Sequence, residues 1–210
     1  MNSISSLMGA QKLLPIIQVE NELDGVQLAR AMYAANLTTV EVVLRSPRSA
    51  KAISAIKEAI PDMRVCAGTI IDSASLSVAK SAGADFIVTP AVSDRLLQQL
   101  AECELPVLPG VASVSDVLLA REYGYKELKL FPAKLAGGAD FLKAIGSLFP
   151  DIRFCPTGGV SMANLDSFLS LDNVFAVGGT WVAKPEWVVS QHWRSVTDAC
   201  EQAVSACDKF

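Results

Sequence analysis

Lys129 lies between two leucines in the run Tyr125-Lys126-Glu127-Leu128-Lys129-Leu130-Phe131-Pro132-Ala133, which reads as a buried strand. Side chains alternate faces along a strand. Leu128 and Leu130 therefore share one face, and Glu127, Lys129 and Phe131 share the other. If the leucines pack on an outer layer of helices, Lys129 points into the middle of the fold. An unpaired ammonium is expensive to bury. Burial favours the neutral amine, and a neutral amine is a nucleophile able to form a Schiff base. The ordinary alternative is a lysine that reaches solvent or pairs with an acid.

The same alternation applied to Val40-Glu41-Val42-Val43-Leu44-Arg45 sends Val40, Val42 and Leu44 toward helices and Glu41, Val43 and Arg45 inward. Glu41 and Arg45 then share the interior with Lys129. A structural ion pair of Glu41 with Arg45 or with Lys129 competes with a catalytic role, although converging ionisable groups are costly as packing alone and mark functional clefts. Thr69 follows on the parity of Val65 and Ala67, with a hydroxyl that can serve a ligand carboxylate. Pro90 and the Leu108-Pro109-Gly110 turn shape a rim. Two glycine pairs complete the set, in Pro156-Thr157-Gly158-Gly159-Val160-Ser161 and Val177-Gly178-Gly179-Thr180-Trp181. Glycine lets bare backbone approach an anion.

Together these groups suit one reaction. A neutral lysine attacks a ketone to give an imine, whose protonated form stabilises a carbanion on the next carbon as an enamine. Glu41 would move protons during dehydration and at the enamine. Arg45 would hold a carboxylate through a bidentate contact, with Thr69 beside it, and the glycine pairs would take a phosphate. The ligand so described is a 2-keto acid with a phosphorylated tail.

The elements that must position these residues repeat. After a short leading helix over 3–13, strands are expected at 14–19, 38–44, 64–69, 86–90, 106–111, around Lys129, at 152–157 and at 175–178. Helices are expected at 22–35, 47–59, 73–82, 93–101, 115–123, 139–149, 162–170 and 186–207. Eight strand–helix units without a linker or composition break predict one α/β domain over 1–210, a (β/α)8 TIM barrel. An open doubly wound sheet is the structural alternative. Its glycine-rich dinucleotide loop is missing from the first turn, Val19-Glu20-Asn21-Glu22, which argues against a dinucleotide cofactor.

Half of the residues are hydrophobic, the mean hydropathy is +0.35 and the net charge is −4. No apolar run is long enough to span a bilayer, Met1-Asn2-Ser3-Ile4 carries no basic leader, and no basic block suggests nucleic acid. The five cysteines, Cys66, Cys103, Cys155, Cys200 and Cys207, are scattered and odd in number, as expected of reduced thiols in a cytoplasmic protein. His192 is the single histidine and reads as a surface or packing residue. Neither a His-rich cluster nor an acidic motif suggests a metal. No cofactor is expected.

Val40-Glu41-Val42-Val43-Leu44-Arg45, Ala67-Gly68-Thr69, Leu128-Lys129-Leu130-Phe131-Pro132-Ala133, Arg153-Phe154-Cys155-Pro156-Thr157-Gly158-Gly159 and Gly178-Gly179-Thr180-Trp181 together resemble the bacterial 2-keto-3-deoxy-6-phosphogluconate (KDPG) aldolases, some of which also cleave 4-hydroxy-2-oxoglutarate (KHG). The resemblance covers about residues 8–205. It implies a metal-independent class I aldolase on a barrel, a homotrimer, releasing pyruvate and glyceraldehyde 3-phosphate as in the Entner–Doudoroff route. By position it makes Lys129 the Schiff-base lysine and Glu41 the acid/base. Arg45 and Thr69 take the pyruvate carboxylate, Pro90 and Phe131 join the substrate-binding set, and Gly158, Gly159, Gly179 and Thr180 surround the phosphate. Three positions depart from the family's habit: Thr180 stands for serine, Lys134 for an acid, and Val111-Ala112-Ser113 for Ile-Ser-Thr. The rivals are an aldolase for the galactonate epimer, an epimerase- or isomerase-like phosphosugar enzyme, and a barrel that binds a phospho-ligand without catalysis.

Overall fold

A computed structural model describes residues 3–210. Met1 and Asn2, which begin the stretch read as lacking a basic leader, lie outside the described residues. The chain runs α1 (Ile4–Met8), β1 (Leu13–Ile17), α2 (Glu22–Ala34), β2 (Thr39–Val43), α3 (Pro47–Ala59), β3 (Arg64–Gly68), α4 (Ser73–Ser81), β4 (Phe86–Val88), α5 (Asp94–Ala101), β5 (Val107–Leu108), β6 (Gly110–Val111), α6 (Val114–Glu122), β7 (Glu127–Leu130), α7 (Gly138–Leu148), β8 (Arg153–Phe154), α8 (Leu165–Leu169), β9 (Val177–Gly179), α9 (Pro185–Val189) and α10 (Trp193–Cys207).

Local chemistry starts the helices where the strands end. Asn21, Ser46, Ser93 and Ser113 each accept a hydrogen bond from a backbone N–H in the first turn of α2, α3, α5 and α6, and Asp72 does so for α4 through a reciprocal box with Ser75. Pro47 takes the first position of α3, where its missing N–H costs nothing.

The architecture is α/β with parallel strands. Six strands form one sheet in the order β5-β4-β3-β2-β1-β9, and β6-β7-β8 form another. The two meet through isolated parallel bridges, Phe154 with Val174 and Thr157 with Gly178, and at Pro109, whose carbonyl accepts from the Lys129 N–H at 2.8 Å. The strand expected at 106–111 is split there. Proline has no N–H to extend the ladder, and the next amide, Gly110, donates to Thr89 Oγ1 at 2.9 Å.

Alternation sorts the strand residues into two cores. Val40, Val42, Val65, Ala67, Leu128 and Leu130 pack with Leu28, Met32, Ile53 and Ile56 of the helices. Leu14, Cys66, Phe86, Val88 and Leu108 of the six-stranded sheet, with Cys155 just past β8 and Ala176 just before β9, form a separate inner cluster that Ile4 and Met8 of α1 close. Glu127 fastens that plug. Its carboxylate accepts from the Ser5 N–H at 2.9 Å and the Ser5 hydroxyl at 2.6 Å, and Arg153 pairs with it.

Three expected helices are shorter or broken. The leading helix stops at Met8, followed by Gly9 with φ +61°. Asn164 diverts the start of the one expected at 162–170, accepting from the Ser161 N–H and donating to the Gly159 carbonyl. The helix expected over 186–207 divides into α9 and α10 at Gln191, whose φ of +55° lies in the left-handed region. His192 is exposed at the start of α10 and caps nothing with its side chain. Among the described residues no helix is long and apolar enough to cross a membrane.

Candidate active site

At the carboxyl ends of the strands lies a cleft of about 170 Å³. Lys129, Glu41, Arg45, Thr69, Pro90, Phe131, Gly158, Gly159, Gly179 and Thr180 all line it, so every residue given a catalytic or substrate-binding role from the sequence comes to one place, whereas the Leu108-Pro109-Gly110 turn and Gly178 stay outside the lining. Val43, expected to face inward, lines it as well, and Ile16, Gln18, Thr157 and Val160 line it without having been assigned a role. Parity along β1 through Leu14 and Ile16, and along the chain from Cys155, would have found Gln18 and Thr157.

Lys129 and Glu41 form the floor. Their residues are 5% and 1% exposed, and Lys129 Nζ stands 3.1 and 3.3 Å from the two Glu41 oxygens. The Phe131 ring lies 5.3 Å from Nζ and walls it on one side. Glu41 reaches across β3 because position 68 is glycine. A Cβ there would fall 2.1 Å from Oε1. Below the pair sit the thiols of Cys66 and Cys155. Burial pushes Cys66 well above the usual thiol range and Cys155 up to about 12. For Cys66 the Glu41 charge adds to burial and Lys129 opposes it. Both thiols thus stay protonated at neutral pH.

The competing lysines are elsewhere. Lys126 is exposed and bonded to Asp151. Lys134 is exposed, its stem lying against Gly159. Arg45 projects at the rim, and its guanidinium forms none of the salt bridges found among the described residues. It is therefore available to an anion.

Thr69 corrects the alternation. On strict parity with Val65 and Ala67 it would face the helices. Instead its φ is +68°, in the left-handed region, and the residue turns into the cleft beside Arg45. Extended alternation simply stops at Gly68, the last residue of β3.

The opposite wall is bare backbone. Gly158 and Gly159 have φ of +91° and +82°, conformations that glycine adopts without steric cost. The N–H groups of Gly158, Gly159 and Val160 have no protein acceptor among the described residues. Successive free amides of this kind make an anion-binding concavity. Across from them Gly179 lies under the Trp181 ring, which a Cβ would meet at 1.7 Å. Thr180 adds a hydroxyl.

Residues 4–199 match the family model described as aldolase, KDPG and KHG aldolase. The chain belongs to the KDPG and KHG aldolase family. It is 42% identical over 201 residues to the 2-dehydro-3-deoxy-phosphogluconate aldolase of Pseudomonas aeruginosa, covering 96% of this chain and 91% of that one. It is 35% identical to the KHG/KDPG aldolase of Escherichia coli, covering 96% and 95%. A crystal structure of the KDPG aldolase of Legionella pneumophila, with pyruvate captured at low pH as a covalent carbinolamine intermediate, superposes with a TM-score of 0.92 at 36% identity, covering 97% of this chain and 98% of that one. Of the positions that depart from the family's habit in the sequence, Thr180 of this KDPG and KHG aldolase family member still brings a hydroxyl to the cleft, whereas Lys134 and Ala112 stand outside its lining.

Proposed function

We propose that this chain is a class I aldolase that cleaves KDPG to pyruvate and glyceraldehyde 3-phosphate, and that it also accepts KHG, giving pyruvate and glyoxylate. The observation that carries the reading is the buried contact of Lys129 with Glu41 at the bottom of a cleft lined by groups that can receive anions. Glu41 takes a proton from Lys129, and the freed amine attacks the substrate's C2 ketone to form a carbinolamine. Glu41 returns the proton to the departing hydroxyl, water leaves, and a protonated imine remains. Electrons of the C3–C4 bond move into the imine as the C4 hydroxyl gives its proton to Glu41, so the aldehyde departs, an enamine is left and Glu41 holds the proton that C3 then takes. Protonation at C3 and hydrolysis release pyruvate and restore Lys129.

Arg45 and Thr69 hold the carboxylate. The amides of Gly158, Gly159 and Val160, with Gly179 and Thr180, receive the phosphate. Pro90 and Phe131 bound the pyruvate half. The strands of both sheets close on themselves as an eight-stranded barrel, with β5 and β6 acting as one strand interrupted at Pro109. Packing of Cys155, just past β8, into the inner cluster of the six-stranded sheet supports this closure. The active assembly is a homotrimer of single-domain subunits in the cytoplasm. Ile71, Val114 and Leu118, apolar yet 60%, 46% and 45% exposed, offer surface for the contacts between subunits.

Borohydride reduction in the presence of pyruvate tests the reading. A pyruvate-derived adduct mapped by peptide mass spectrometry to Lys129, with loss of activity, is the expected result. An adduct on Lys126 or Lys134, or none, would refute it.

A further inference from the structure

Two glutamines flank the first strand and are used differently. Gln11, just before β1, spends its amide on the scaffold. Oε1 accepts from the Thr38 and Thr39 N–H groups, and Nε2 donates to the Leu13 and Thr39 carbonyls. Gln18, just past the other end of β1, lines the cleft and is exposed, and no hydrogen bond found among the described residues engages its amide. A polar side chain at the mouth of a substrate cleft, with no partner of its own, is free for a ligand.

Its position says which part of the ligand. Ile16 pairs in register with Glu41, and Pro15 with Gly179. Gln18 lies two residues beyond Ile16 on the same face, one step toward the mouth. It therefore stands above the Lys129–Glu41 floor, with the Gly179-Thr180 turn on one flank and Val43 and Arg45 on the other. The ends of a substrate are already served, its carboxylate by Arg45 and its phosphate by the glycine turns. What remains within reach of Gln18 is the middle of the chain, beyond the bond that breaks. A primary amide offers an acceptor and two donors without charge. That suits a hydroxyl, which both gives and takes, better than it suits a dianion.

We propose that Gln18 is a specificity-determining residue that reads the hydroxyl on C5 of the substrate. The assignment rests on the aldolase reading above. It has a direct consequence for substrate choice. KDPG carries a hydroxyl at C5, whereas C5 of KHG is a carboxylate carbon. Gln18 thus favours the phosphorylated sugar acid over the shorter diacid, and it leaves the pyruvate half untouched.

The test compares Gln18→Met, which keeps length and loses both hydrogen-bonding ends, with the parent enzyme in three assays. These are kcat/KM for KDPG, kcat/KM for KHG, and exchange of pyruvate methyl protons with deuterated water followed by NMR. Loss of one or two neutral hydrogen bonds should lower kcat/KM for KDPG about five- to tenfold, mainly through KM. KHG cleavage and pyruvate exchange should stay within twofold. Gln18→Asn, which keeps the amide on a shorter stem, should recover part of the KDPG loss. An unchanged KDPG-to-KHG ratio, or an equal fall in all three assays, would overturn the assignment while parental exchange still upholds the aldolase. A parent enzyme without exchange or pyruvate release would overturn both.

Discussion

The Glu41 carboxylate occupies space that exists only because residue 68 has no side chain. In Gly68→Ala the new methyl would lie 2.1 Å from Oε1, 2.7 Å from Cδ and 2.8 Å from Cγ of Glu41. Non-bonded heavy atoms settle near about 3.5 Å, so the carboxylate must retreat by more than ~1 Å. Its oxygens begin 3.1 and 3.3 Å from Lys129 Nζ, and a move of that size displaces the carboxylate from its place beside the amine. The φ of Gly68 is not left-handed, so alanine adds no backbone strain and the damage stays at the carboxylate. A misplacement of ~1 Å in a catalytic group is worth about a hundredfold in rate. Loss of a general acid/base, as in Glu41→Gln, is worth roughly a hundredfold or more. We therefore expect kcat of Gly68→Ala to fall about a hundredfold with KM within threefold, measured as pyruvate release coupled to lactate dehydrogenase. In a Glu41→Gln background the same change should add little, because both act on one carboxylate. A folded Gly68→Ala enzyme with kcat within threefold of the parent would show that Glu41 does not need its observed place.

Gly179→Ala drives a methyl into the Trp181 ring. Overpacking of about 1–3 kcal/mol should lower Tm by roughly 3–10 °C in calorimetry, and an unchanged Tm would contradict the packing described. Burial holds the thiols of Cys155 and Cys200 up to about 12 and that of Cys207 up to about 11. The unfolded chain releases those protons from about pH 8.5 upward, so the folded state binds more protons and stability must fall as pH climbs from about 9 to 12. Urea titrations at pH 7.5 and 10.5 should show the loss, with a shallower one in Cys155→Ala; stability that rises with pH would reverse the sign. Glu127→Gln weakens the hold on Ser5 and Arg153. Amide exchange in α1 should quicken while kcat/KM stays within twofold, and equal exchange in both proteins would count against the latch.

Much of the site was legible because strands alternate strictly while they remain strands. Glu41, Arg45 and Lys129 all face where parity sends them, and Leu128 and Leu130 meet the helices. Thr69 enters the cleft for a reason that parity cannot supply, a single left-handed residue after the last β3 residue. Gln18 obeys parity yet belongs to no conspicuous motif, and Thr157 stood inside one whose glycines drew the attention. The strand break at Pro109 was visible as a proline. Its consequence, an amide redirected to the Thr89 hydroxyl, depends on a neighbouring strand. The break at Gln191 has no glycine or proline to announce it, and its hydrogen bonds, His192 N–H to the Trp187 carbonyl among them, appear only in three dimensions.

The inner cluster under Lys129, closed by Ile4 and Met8, packs the floor beneath the lysine. The mouth of the cleft must then serve as both exit and intake. Water that hydrolyses the lysine-bound enamine's imine form has to enter along the path by which the aldehyde leaves, and the two cannot share it at once. The covalent imine sets a sequence in time, and the plug at the far end of the fold confines it to one opening. The aldehyde goes first, the carbon acid stays tethered until its place is taken by water, and pyruvate is the last product off the enzyme.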